Sequence, residues 1–328
     1  MLTRTLSSEV RYQWSSVIKG TVLRQYSMTR QEKLHLVVTG DDFGYCPERN
    51  RGIIECFKRG VITGSSLLVN AVGFKDAVKL AKECRLPLGL HLNLTEGVPI
   101  SGRSSLLDKD GFFLDKCVIQ DALREHKINF DEVRNEMRAQ IALFRQTLGY
   151  TPVYVDGHQH VHVFPGISQV FAEVLKEHNI TLTRFPIQYN LEKCSWVLEE
   201  HKKFNKVVQL YAQNAKSIFQ AHCIRYPLGY IGLSTMGEKM TVDRIESALS
   251  SSLYNLKKSK ESFLTFELMT HPGYPSMNGY GGCGHGPDKF SCSQDRVHEI
   301  SILQDERLKM VYKKYNVELC SYKEMFQK

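Results

Sequence analysis

Four places in this chain hold side chains able to bind a metal ion or move a proton. Asp41 and Asp42 are adjacent in VVTGDDFG, His91 lies in GLHLNL, His158 opens the alternating run of DGHQHVH, and His271 follows ELMT. Two neighbouring carboxylates repel each other and lose hydration on burial, so the pair needs a cation, a shared proton or plenty of water. One Asp with two His makes a facial ligand set with open positions, the arrangement a hydrolytic metal uses. Taken singly, each signal has a blander reading: an exposed acidic turn for the Asp pair, a satisfied core histidine for His91.

His158, His160 and His162 alternate, which puts all three on one face if the run is a strand. Gly157 releases the chain from strand geometry just before His158. That favours His158 as the ligand and leaves the other two for supporting roles. Asp156 is placed to orient a ligating imidazole or to add an oxygen.

The elements that must carry these residues form a strand–helix alternation beginning at Leu34. LHLVVTG, SSLLVNA, LPLGLHLNL, PVYVDGHQHVHVF, ITLTRFP and ESFLTFELMTHPGY read as strands. Helices are expected over ERNRGIIECFKRG, FKDAVKLAKEC, FDEVRNEMRAQIALFRQTLG, GISQVFAEVLKEHN and a long closing stretch, SQDRVHEISILQDERLKMVYKKYN, before VELCSY. In the third of these, Phe130, Val133, Met137, Ile141 and Phe144 recur at helical spacing on one face. Periodicity weakens between about 190 and 230, where EEHKKFNK reads as a solvated helix face. Such alternation is the pattern of an α/β protein with parallel strands. A single irregular (β/α) barrel over residues 34–328 fits, and all four chemical groups then fall at the C-terminal strand ends, where barrel active sites lie. No GxGxxG or P-loop opens a helix, so a nucleotide-binding domain has no support.

Composition narrows the class further. The chain has 328 residues, 42% hydrophobic and 24% charged, which is ordinary for a globular enzyme. No apolar run is long enough to span a bilayer. Half of the formal charge of +8 sits in residues 1–33, and the remainder shows no basic, aromatic-interleaved stripe, so nucleic acid is not an expected partner. The nine cysteines lack a C-x-x-C pair and are expected to be mostly reduced and buried, in an intracellular protein.

TGDDFG, GLHLNLTEG, DGHQHVH and THPGY, together with TRFP and GLSTMG, resemble the motifs of the YdjC-like carbohydrate deacetylases over roughly residues 34–325. Gly40 departs from the pattern, which more often has Ala there. The resemblance implies a distorted (β/α) barrel of the glycoside hydrolase/deacetylase type. It also implies a divalent metal, magnesium, and removal of acetyl groups from N-acetylglucosamine units of short oligosaccharides. Carried over motif by motif, Asp42, His91 and His158 are the metal ligands, Asp41 the proton acceptor and His271 the general acid. Two imidazoles and a carboxylate suit zinc or manganese at least as well as magnesium. Arg184 ends a strand and either bonds sugar hydroxyls or pairs with an acid; with Asp156 and His160 it is an expected substrate contact. The glycine-rich stretch 279–292 reads as a flexible cover, although Cys283, His285 and Cys292 within it also have the makings of a second metal site. Two other functions compete: a metal-free glycosidase using Asp41 with another carboxylate, and a non-catalytic carbohydrate-binding descendant of a deacetylase.

Residues 1–33 stand apart, being rich in Arg and Ser and poor in acids, as a mitochondrial transit peptide is. RQYS, Arg24 to Ser27, has the look of a matrix-processing site, while initiation at Met28 would leave a cytoplasmic protein. Residues 1–40 fused to a fluorescent reporter are expected to deliver it to mitochondria; a diffuse cytosolic signal would favour Met28.

Overall fold

The computed structural model describes residues 33–102, 104–256, 264–277 and 279–327. The N-terminal extension, apart from Lys33, lies outside the described residues. From there the chain runs β1 (Leu34–Phe43), α1 (Pro47–Lys58), β2 (Gly64–Leu67), α2 (Phe74–Cys84), β3 (Leu88–Leu92), α3 (Val118–Arg124), α4 (Phe130–Leu148), β4 (Val155–Gly157), α5 (Ile167–Glu177), α6 (Glu199–Ala221), β5 (Gly229–Ile231), α7 (Val242–Leu256), β6 (Leu264–Thr270), α8 (Asp295–Leu303), α9 (Glu306–Lys314), β7 (Val317–Leu319) and α10 (Tyr322–Met325).

Strand β1 is the axis of the sheet, and all ten of its residues are buried. One edge pairs with β6 from Leu34↔Leu264 to Gly40↔Thr270. The other edge is shared, with β7 along Leu34–Leu36 and β2 from Thr39 onward. Every pairing between strands is parallel, in the order β4-β3-β2-β1-β6-β5. Past β4 the sheet continues through single bridges, Val155↔Thr183 and Leu182↔Arg225. Four residues after Arg225 the chain becomes β5, which pairs with β6, so the ring closes. This is the expected irregular (β/α) barrel.

Helix ends follow local chemistry. Cys46 accepts from the Arg49 amide with Pro47 in the first turn of α1, and Asn129 caps α4 by accepting from the Asp131 amide. Helix α4 buries Val133, Met137, Ile141 and Phe144 as its spacing requires, whereas Phe130 in its first turn is exposed.

Several expected boundaries change. Strand β4 stops at Gly157, and residues 158–163 form a 3₁₀ turn with Gln159 and His160 at positive φ. His158, His160 and His162 therefore do not share a strand face. ITLTRFP contributes isolated bridges instead of a strand. The weakly periodic region holds the 23-residue α6, whose buried face begins with Lys202 and Asn205 and becomes apolar only from Val208 through Ala212, Ala215 and Phe219, so the expected solvated face of EEHKKFNK is in part buried. The closing helix is two, because the Asp305 carboxylate accepts from the Arg307 amide and starts α9 afresh. Helix α7 and strand β5 were not foreseen. Among the described residues no helix is long and apolar enough to cross a membrane.

A cavity of about 640 Å³ opens at the N-terminal ends of the strands, lined by Gly64, Leu88 and Tyr154 among others. It is at the opposite end from the strand-end histidines. At the histidine end, α1 lies against the segment after β6: a Cβ on Gly52 would come within 2.4 Å of the Gly273 Cα. Gly52→Ala should destabilise the fold by about 1–3 kcal/mol, the usual cost of overpacking. The urea midpoint measures this, and an unchanged midpoint would mean that the His271–Gly273 segment yields freely.

Candidate active site

Consecutive strand residues point to opposite faces, so Asp41 and Asp42 should diverge. They do not, because the register of β1 against β2 shifts between Gly40 and Phe43 and Asp42 adopts φ +63°. This bulge turns both carboxylates towards the histidines. A methyl on Gly40 would meet Ile62 at 3.2 Å and Ile53 at 3.4 Å, so the missing side chain is matched by tight packing below the acids.

Asp42 Oδ1, His91 Nε2 and His158 Nδ1 form a triangle with edges of 3.1, 3.3 and 3.4 Å. Each corner is fixed by a partner on its other polar atom. Arg49 Nη1 donates to Asp42 Oδ2 at 3.0 Å. His91 Nδ1 lies 2.7 Å from Asp156 Oδ1, its cross-strand neighbour in β3–β4. His158 Nε2 lies 3.0 Å from Glu96 Oε2. A carboxylate accepts and cannot donate, so Asp156 keeps the proton on Nδ1 of His91 and Glu96 keeps it on Nε2 of His158. If a cation takes the place of the protons that the rings share with Asp42, the two rings hold opposite tautomers and both lone pairs face the same point beside the Asp42 oxygen. Such orienting partners are the usual surroundings of metal-ligating histidines.

The charge balance points the same way. Five carboxylates (Asp41, Asp42, Glu96, Asp156, Glu267) gather around two guanidiniums, Arg49 and Arg184. Burial disfavours protonation of His91, yet Asp156 and Asp41 push its pKa up to about 10. Burial acts likewise on His158, and Asp42 with Glu96 pushes it up to about 9. Burial would raise the Asp42 carboxyl, but hydrogen bonds from both imidazoles, and then Arg49, hold it well below the usual range. A field that draws protons onto two buried imidazoles suits a divalent cation held by the same three atoms. Asp42, His91 and His158 therefore fit the metal centre that the sequence implies.

Asp41 sits differently. Both its oxygens take Arg184, Oδ2 from Nη1 at 2.6 Å and Oδ1 from Nη2 at 2.7 Å. Oδ1 also accepts from the Ser66 hydroxyl at 3.2 Å. Oδ2 keeps a lone pair and lies 4.0 Å from His91 Nε2, beside the triangle. Burial raises the Asp41 pKa to about 6 even against the pull of Arg184. Arg184 itself is wholly buried and also pairs with Asp156 and Glu267. Of its two expected partners the structure gives it acids, and neither Arg184 nor Asp156 is open to a sugar. His160 is also buried, edge-on to Tyr230. His162 donates to or accepts nothing at the triangle; its Nε2 lies 3.1 Å from the Arg184 carbonyl, and burial lowers its pKa to about 4.

His271 follows Thr270, the register partner of Gly40, and so flanks Asp41 across β1–β6. Its Nδ1 has no hydrogen-bond partner among the described residues, and burial, with Arg296 and Arg49, keeps the ring neutral despite Asp42. The glycine-rich stretch is pinned over the neighbouring loops: the Gly282 amide donates to Tyr45, and the Val72 and Val98 amides donate to Gly282 and Cys283. Cys283 is buried against Asn93, His285 stacks on Phe112, and Cys292 is exposed. These three do not converge; among the described residues the ligand-bearing groups are Asp42–His91–His158 and Asp41–His91–Asp156. The second already encloses the Arg184 guanidinium.

The YdjC-like protein family matches residues 35–314. The chain belongs to that family. A carbohydrate deacetylase of Danio rerio is 44% identical over 310 residues, 90% of this chain and 99% of that protein. A chitooligosaccharide deacetylase of Proteus mirabilis is 30% identical, covering 88% and 98%. An Enterococcus faecalis crystal structure, of a candidate cellobiose-phosphate cleavage protein, shares the fold with a TM-score of 0.68 at 23% identity over 90% of this chain and 99% of that one. In this YdjC-like chain, sequence reasoning missed Glu96, Arg49, Ser66 and Glu267. Glu96 was within reach, being inside the quoted LNLTEG, where Asn93 Oδ1 accepts from the Thr95 and Glu96 amides and fixes the turn. Glu267 also left a signal, since an acid inside the apolar run FLTFELM must be paired.

His158→Ala should abolish binding of one divalent ion, and His162→Ala should leave most of it. Glu96→Gln should weaken metal affinity by about 10- to 100-fold, as loss of an orienting partner does. Calorimetric titration with Mn²⁺ checks all three; equal losses at His158 and His162 would mean the wrong ligand was chosen.

Proposed function

We propose that this YdjC-like protein is a metal-dependent hydrolase that removes acetyl groups from N-acetylglucosamine units of short oligosaccharides. The observation that carries the reading is the triangle of three oriented ligand atoms beside a carboxylate with one uncommitted lone pair. The names borne by its relatives supply the substrate class.

Asp42, His91 and His158 would hold the ion, which supplies a Lewis acid that activates water and polarises a carbonyl. Magnesium follows the family resemblance, whereas the two imidazoles favour zinc or manganese. Asp41 takes the proton of the attacking water at Oδ2, since Oδ1 is occupied by Arg184 and Ser66. His271, on the other flank of Asp41 and neutral at rest, passes a proton to the departing amine. It therefore draws on the proton that Asp41 has removed. A metal-free glycosidase would need a second available carboxylate, but Asp156 and Glu267 are buried against Arg184.

The direct test is acetate release from a panel of acetylated amino sugars with Mg²⁺, Mn²⁺ or Zn²⁺, and none with chelator. Asp41→Asn should keep metal and lose rate by roughly 10²- to 10⁴-fold, the range of a general base. Asp42→Asn should mainly lose metal affinity and recover in part with added metal. His271→Ala should resemble Asp41→Asn, with a smaller deficit on an ester. If Asp41→Asn lost metal while Asp42→Asn kept it, the roles of the two acids would be reversed.

A further inference from the structure

The barrel floor carries a hydroxyl tied to the site above it by buried polar contacts alone. Helix α10, started by a Ser321–Glu324 capping box, inserts Tyr322 and Met325 into a small cluster with Val37, Tyr154, Leu182 and Cys320. The Tyr322 hydroxyl reaches past this cluster and donates to Glu267 Oε2 at 2.7 Å. Glu267 Oε1 accepts from Thr39 Oγ1 at 2.9 Å and from Arg184 Nε and Nη2 at 3.0 and 2.8 Å. Arg184 then presents its Nη1–Nη2 end to Asp41. Tyr322, Glu267, Arg184 and Asp41 are each at most 3% exposed, so solvent cannot substitute for any of these bonds.

The guanidinium is planar, and its two edges are engaged by different acids. Glu267 holds the Nε–Nη2 edge and thereby sets the plane in which the other edge meets Asp41. Glu267 can hold that orientation only if its own carboxylate is fixed. Tyr322 donates the hydrogen bond that Oε2 accepts; without it, that oxygen would be a buried anion with no donor among the described residues, at substantial cost. We propose that Tyr322 and Glu267 are positioning residues for the base: the Tyr322 hydroxyl, at the opposite end of the barrel from the histidines, sets the orientation of the Asp41 carboxylate through Glu267 and Arg184. The role assigned to Asp41 rests on the deacetylase reading; the chain of contacts does not.

Tyr154 provides an internal control. Its ring stacks on Tyr322 with centroids 3.9 Å apart, and its buried hydroxyl has no hydrogen-bond partner among the described residues. Tyr322→Phe and Tyr154→Phe each remove one buried hydroxyl from one ring stack, but only the first breaks the chain of contacts. With saturating metal and an acetylated chitooligosaccharide, Tyr322→Phe should lower kcat about tenfold while KM and Mn²⁺ affinity stay within about twofold, the pattern of a misaligned reacting group. Tyr154→Phe should change none of these. Glu267→Gln should lower kcat at least as far, and adding Tyr322→Phe to it should cost little more, because the two act through one path.

A second readout needs neither substrate nor metal. Hydrogen exchange at the Arg184 Nε–H, followed by NMR, should quicken about tenfold in Tyr322→Phe and not in Tyr154→Phe. Unchanged exchange in Tyr322→Phe, equal losses in the two Phe variants, or an effect on KM or metal affinity in place of kcat would overturn the inference. If the unmodified protein released no acetate from any acetylated sugar, the deacetylase reading would fall, and the Arg184 exchange comparison would decide this inference alone.

Discussion

Arg184 places one guanidinium among three carboxylates from three strands: Asp41 of β1, Asp156 of β4 and Glu267 of β6. Ionised groups are rarely buried unless paired, and removing one partner of a buried set leaves a charge that nothing solvates. The rest of the site is built on that arrangement. Asp156, held from below, holds His91 from the side; Asp41, held at both oxygens, keeps one lone pair towards the histidines. The excess negative charge left over is concentrated at the triangle of Asp42, His91 and His158, the place where a cation is favourable.

The two adjacent acids show how a small backbone irregularity separates chemical roles. In a regular strand one of them would face the helices. The bulge and the positive φ of Asp42 bring both to the same end of the barrel, and different arginines then distinguish them. Arg49, from the helix that follows β1, takes one oxygen of Asp42 and leaves the other to the imidazoles. Arg184 takes both oxygens of Asp41. On the proposed reading, one acid is thereby prepared as a ligand and its neighbour as a base, although their sequence surroundings are almost the same.

The parallel barrel suits this division because each strand end can be supported separately. Short loops after the strands carry the polar atoms that meet the histidines, as the Asn93 turn does by placing Glu96 against His158. The opposite end of the barrel is closed by α10 and the Tyr154–Tyr322 stack. Buried polar contacts join the two ends along the barrel interior, so the packing of the floor and the geometry of the site are not independent.

The strand–helix rhythm, the parallel barrel and the four strand-end groups were legible in the sequence because they depend on local periodicity, which a strand or helix imposes on its own residues. Asp42, His91 and His158 could be named on the family resemblance, and Gly157 marked where β4 would stop. What the tertiary structure decided is which partner each polar atom meets. Arg184 and Asp41 are 143 residues apart, and no local pattern distinguishes an arginine that binds sugar from one that neutralises a buried acid. The alternation of His158, His160 and His162 predicted a shared face, but the left-handed turn at Gln159 and His160 separated them. The start of helix α6 was expected to be a solvated face, yet Lys202 and Asn205 are buried there, their cost met by contacts with Glu199 and the Leu233 carbonyl that only the folded chain provides. Sequence periodicity sets where a side chain starts; desolvation and long-range pairing set what it does there.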